Sequence, residues 1–105
     1  MVIRRMVRMT FRPEALPVFD ALFARTAPQI RAFAGCLHLE LWHDPNHPHI
    51  RMTYSHWQDA AALDAYRHSA LFRETWAQTK VLFAEKPLAF SGLCAAVIAP
   101  EEVKG

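Results

Sequence analysis

The stretch Cys36-Leu37-His38-Leu39-Glu40-Leu41-Trp42, taken with Ile50-Arg51-Met52-Thr53-Tyr54-Ser55-His56-Trp57, decides the fold. Side chains alternate between the two faces of a strand. Leu37, Leu39 and Leu41 therefore share one face, while Trp42, Met52 and Tyr54 supply apolar surface to the other. An antiparallel sheet with one wet face alternates apolar and polar residues more cleanly than this. A sheet apolar on both faces needs cover on both. The segment between the two runs, His43-Asp44-Pro45-Asn46-His47-Pro48-His49, is polar and proline-rich, so it reads as the connection of a hairpin. A turn about Asn46 and His47 pairs residues summing to about 94, setting His38 opposite His56 and Glu40 opposite Tyr54. A slip of one residue would send one set to the other face.

Working outward, residues 2–11 form a first strand with Ile3, Val7, Met9 and Phe11 on one face, broken by Arg5. Arg4, Met6, Arg8 and Thr10 take the other face. Pro13 suits a first helical turn. Ala15, Phe19, Leu22, Phe23, Ile30 and Phe33 then recur at helical spacing. Pro28 is expected to kink that helix or end its regular part near Ala27, and Gly35 stops it. Asp59 is a plausible N-cap for a second helix reaching Ala84, with Leu63, Tyr66, Ala70, Phe72, Trp76, Thr79 and Phe83 as its stripe. Pro87 bars extension, and residues 88–98 form a last strand. The order β-α-β-β-α-β predicts an α+β, ferredoxin-like domain. Its four-stranded antiparallel sheet carries both helices on one face. The domain spans residues 1–99, leaving 100–105 as a disordered tail.

Composition narrows the function. With 105 residues, 52% hydrophobic and 21% charged, the chain holds one globular core. A net charge of +2 and an early arginine group without interleaved aromatics argue against nucleic acid. No stretch approaches the ~20 apolar residues of a membrane span. Residues 1–9 alternate with arginine and cannot form a signal-peptide core. Cys36 and Cys94 lie in apolar stretches outside any zinc-ligand spacing, which suits buried thiols in a reducing, cytoplasmic setting. His43, Asp44, His47 and His49 match no closed metal site. No metal and no cofactor is expected.

The strand Arg5-Met6-Val7-Arg8-Met9-Thr10-Phe11, the turn Phe33-Ala34-Gly35-Cys36, the strand end Tyr54-Ser55-His56-Trp57 and the helix segment of residues 62–72 resemble the antibiotic biosynthesis monooxygenase family of dimeric α/β barrels. In that family a strand ends in tryptophan, and the next helix carries Ala-Leu and Ser-x-x-Phe, here Ala62-Leu63 and Ser69 to Phe72. The resemblance covers roughly residues 3–96. It implies a homodimer paired through the open sheet face, and a small-molecule cleft between sheet and helices. Some members oxygenate phenolic or polyketide-like substrates with dioxygen alone.

By that resemblance Tyr66, Trp57 and His68 are the candidate catalytic residues, and Thr53, Trp76 and Met6 the candidate substrate contacts. Tyr66 can hydrogen-bond a substrate oxygen while packing as an aromatic. Trp57 anchors the strand-to-helix junction or shapes the cleft, and Thr53 and Ser55 share its strand face. His68 offers an imidazole but points away from the Tyr66 stripe, two residues on. A haem-degrading branch has a strand asparagine, a helix tryptophan and an axial histidine ten residues on; Met6 or a neighbour, Tyr66 and Trp76 stand there instead, and tryptophan cannot ligate iron as histidine does. His38, Glu40 and His56 form either a polar patch or a titratable cluster. Three functions follow: a cofactor-independent oxygenase, a non-catalytic dimeric binder of a hydrophobic metabolite or haem, and a structural homodimer filled by its own aromatics.

Overall fold

In the computed structural model, which describes residues 1–101, the chain runs β1 (Ile3–Thr10), a 3₁₀ turn (Pro13–Ala15), α1 (Leu16–Arg31), β2 (Cys36–Asp44), β3 (His47–Trp57), α2 (Ala60–Arg67), α3 (Ala70–Lys80) and β4 (Leu88–Leu93). The strands order β2-β3-β1-β4, all neighbours antiparallel, giving the ferredoxin-like α+β fold. Most of the expected 100–105 tail, residues 102–105, lies outside the described residues.

β1 behaves as its alternation requires. Met9 and Phe11 are buried and Val7 packs against them. Phe11 stacks on Phe19 of α1 at 4.3 Å between ring centroids, tying the first helix to the sheet. α1 does not end near Ala27. Pro28 sits inside the helix, and the Ala24 carbonyl deprived of its partner belongs to an exposed residue, where water can serve it. The Ala32 amide then bonds the Pro28 carbonyl at 3.0 Å, so the last turn closes normally.

The hairpin register follows the sum of 94: His38 pairs with His56 and Glu40 with Tyr54. Its turn is tighter than expected, since β2 and β3 reach Asp44 and His47 and absorb most of the polar segment. Asp44 accepts the Asn46 amide at 2.8 Å, an Asx-type turn that makes this possible. A register shift lies between Cys36 and His38. Leu37 sits in that bulge, 45% exposed, so it does not share a face with Leu39 and Leu41; Cys36 turns inward in its place.

The second helix is two helices. Asp59 caps α2 through the Ala62 amide, as expected, but the chain breaks at His68 and Ser69. Ser69 Oγ accepts the Phe72 amide at 3.1 Å and donates to the Tyr66 carbonyl at 2.6 Å, capping α3 and closing α2 together. β4 stops at Leu93 rather than residue 98, leaving Cys94 exposed and only Cys36 as a buried thiol. No helix among the described residues is long and apolar enough to cross a membrane.

Candidate functional site

Between the helix-facing side of the sheet and the helices lies a cavity of about 100 Å³. Val7 and Thr53 line its sheet wall; Phe23, Tyr66, Phe72, Thr75, Trp76 and Thr79 line the helical wall. Strand parity puts Val7 and Thr53 side by side, since they are register partners. The helical break puts Tyr66 at the end of α2 and Trp76 on α3, so one wall is built from two elements held by the Ser69 cap.

Tyr66 is the most constrained group here. Its ring stacks on Trp57 at 4.7 Å and 23°, and meets Phe33 and Phe72 edge-on at 5.5 and 5.2 Å. Trp57 is itself 1% exposed, and its indole N–H donates to Ser55 Oγ at 3.0 Å. Trp57 thus stands behind Tyr66 and fixes it, rather than lining the cavity. Burial pushes the Tyr66 phenol up to about 12, with Cys36 adding to the shift and Arg5 opposing it. The hydroxyl therefore keeps its proton at neutral pH. Among the described residues it has no protein hydrogen-bond partner, the Tyr66 bonds running through its backbone carbonyl. The hydroxyl is not sealed from solvent, so it is free to donate to a ligand oxygen that displaces water.

The sequence profile of the antibiotic biosynthesis monooxygenase family matches residues 2–78, which span the sheet wall, α2 and most of α3. The chain belongs to that family. Solved structures with the same fold include an antibiotic biosynthesis monooxygenase, 18% identical with a TM-score of 0.84, covering 90% of this chain and 99% of that one. Rv0793 from Mycobacterium tuberculosis is 19% identical with a TM-score of 0.85, covering 94% of this chain and 100% of its own. PA3566 from Pseudomonas aeruginosa is 20% identical with a TM-score of 0.81, covering 90% and 95%. These likenesses carry the fold. No curated protein sequence matches the chain.

In this member of the monooxygenase family, Tyr66, Thr53 and Trp76 meet at one cavity. Met6 does not join them. It is the register partner of Tyr54, one residue out of phase with Val7, and so lies on the opposite sheet face beside Phe90. His68 does not join them either. It is exposed at the end of α2, where Nδ1 donates to the Asp64 carbonyl at 2.8 Å. Val7 and Phe23, read from the sequence only as apolar-face positions, and Thr75, on no expected stripe, line the cavity as well. Val7 was recoverable from strand parity alone, whereas Thr75 lies off the expected helical stripe and faces the cavity only because α3 starts anew at Ser69.

The opposite sheet face carries the second titratable group. His38, Glu40 and Trp42 of β2 stand beside Tyr54 and His56 of β3 and Arg4 of β1. Glu40 bonds the His38 ring, and accepts the Trp42 indole N–H at 2.8 Å. Its carboxyl is held below the usual range by the His38 bond first and the Trp42 bond second. Among the described residues no three His, Cys, Asp or Glu side chains are arranged to hold a metal ion.

Proposed function

We propose that this chain is a cofactor-independent monooxygenase for a small electron-rich ring, a hydroquinone or catechol, bound in the helix–sheet cavity of a homodimer. One observation carries the reading: a protonated Tyr66 hydroxyl, without a protein partner among the described residues, at the wall of a small, mainly apolar cavity. An apolar cavity of about 150 Å³ holds benzene, and larger ligands occupy several hundred. At about 100 Å³ the resting cavity is smaller than either, so a single ring enters only as the lining side chains move outward, and haem is far too large.

The chemistry is balanced without a cofactor. A phenolate gives one electron to dioxygen; the resulting radical and superoxide combine to a carbon-bound peroxide; loss of water leaves a new carbonyl. Hydroquinone plus dioxygen becomes hydroxyquinone plus water, all electrons coming from the substrate. Tyr66 donates a hydrogen bond to the phenolate oxygen and favours the anion, and Thr53 and Thr75 offer hydroxyls to the ring's other edge. Phe72 and Trp76 stack on each other at 8° and 5.9 Å between centroids, which holds both aromatic rings in fixed orientation at the wall that orients the substrate.

The homodimer reading rests on the opposite sheet face, which exposes Phe90 by 63%, Leu88 by 57% and Trp42 by 38%. Pairing two such faces removes this surface from water. Oxygen uptake and product mass, followed over hydroquinones, catechols and anthrones with labelled dioxygen, test the reaction. Single-ring substrates should gain one labelled oxygen atom. Failure of every substrate to consume oxygen overturns it.

A second reading is favoured by the cavity wall, which among the described residues carries no carboxylate or imidazole and so leaves proton removal to the substrate itself. On that reading the chain binds the ring without turning it over. Saturable binding with no oxygen uptake supports it.

A further inference from the structure

Beside the cavity runs a larger groove of about 370 Å³, open to solvent between α1 and the edge of the β2–β3 hairpin. Asp20 and Ala24 of α1 face Leu41, Trp42, His43 and Arg51 across it. Phe23 lines both spaces. Its half-buried ring packs against Phe19 at 5.9 Å, and it is held by no hydrogen bond or covalent constraint. The groove has fixed polar chemistry at one side. The Arg51 guanidinium donates to both Asp20 oxygens at 3.2 Å and to the carbonyls of Pro48 and Ile50, so it is locked in place. Asp20 remains 44% exposed and can accept a further hydrogen bond. The groove is thus apolar on Leu41 and Phe23 and acceptor-bearing at Asp20, with Trp42 bordering it while its indole bonds Glu40 on the outer face.

We propose that this groove is an outer subsite of the ligand cavity, and that the Phe23 ring is the partition that limits the ligand to one ring. The inference rests on the cavity being the ligand site. With Phe23 in place, a ring among Tyr66, Phe72 and Trp76 ends against its face. With the ring removed, cavity and groove become one elongated site, suited to a fused two-ring phenol whose outer edge carries a hydrogen-bond donor toward Asp20. Phe23 is a specificity-determining residue by this geometry, with no part in the chemistry.

The test measures binding of phenol and of 1-naphthol, by calorimetry, to the wild-type protein, Phe23→Ala and Phe23→Val. Each variant is first checked for an intact fold by circular dichroism, and Phe23→Val covers the case in which Phe23→Ala does not fold. The expected result is at least a tenfold gain in 1-naphthol affinity in the variants, with phenol affinity changed less than threefold. Adding Ala24→Leu to the Phe23 variant should fill the groove and cancel the naphthol gain alone. Equal naphthol binding by wild type and folded variants overturns the partition. Absence of phenol binding by the wild type counts instead against the cavity as ligand site, a separate outcome, because the naphthol comparison still reads the partition.

Discussion

His38 of β2 and His56 of β3 face each other across the hairpin with ring centroids 4.9 Å apart, and Nε2 of His56 is buried without a partner among the described residues. Tyr54 packs edge-on against both rings, at 6.3 and 5.0 Å. The arrangement disfavours a charge on His56. Desolvation lowers its affinity for a proton, the Arg4 guanidinium lowers it further, then His38, while Glu40 opposes them.

A histidine with a lowered folded-state pKa stabilises the fold above its ordinary 6.5, and that contribution is lost as the pH falls, because the unfolded chain takes up a proton that the native state refuses. The melting temperature of the wild type should fall between pH 7 and pH 5, a window in which Glu40 stays ionised. His56→Gln should flatten that slope. An unchanged slope in the variant refutes the assignment.

Tyr66→Phe keeps the stack on Trp57 and removes only the hydroxyl. Turnover of a hydroquinone should drop by about 10²-fold or more, the scale of a lost hydrogen-bond donor to an oxyanion, while the melting temperature barely moves. Since the phenol is pushed up to about 12, the wild-type rate should show no Tyr66 titration below pH 10. A rate profile over pH 6–10, compared between the two proteins, checks both points.

Phe90→Asp sets a charge on the outer face, opposite Met6. Sedimentation should give a dimer for the wild type and a monomer for the variant. A wild type that sediments as one subunit at micromolar concentration defeats the homodimer.

Gly35 turns the chain from α1 into β2 at φ +88°, where an added Cβ would overlap Ala62 Cβ. Gly35→Ala combines left-handed strain with overpacking, so it should cost more than about 2 kcal/mol in urea unfolding.

Ser69→Ala removes the cap that divides α2 from α3. The expected loss is about 1 kcal/mol. The ligand cavity should suffer with it, because Tyr66 and Trp76 lie on the two sides of that break. Phenol affinity and unfolding free energy, measured together, test this coupling.

Local chemistry in the sequence determined the element order, the ferredoxin-like topology, the inward face of β1 and the Asp59 cap, because alternation, capping and turn composition act within a few residues. The pairing of His38 with His56 was one register the sequence allowed, and a register shift between His43 and Asp44 fixed it. Tyr66, Thr53 and Trp76 came as cleft candidates from the family resemblance, and all three line the cavity. Only the tertiary structure decided that Met6 faces away from the cavity, that Leu37 is bulged out, that α1 passes through Pro28, and that Ser69 restarts the second helix and so turns Thr75 inward. Each of those depends on what lies across space: whether water reaches a freed carbonyl, which strand supplies a register partner, and where a hydroxyl finds both a donor and an acceptor.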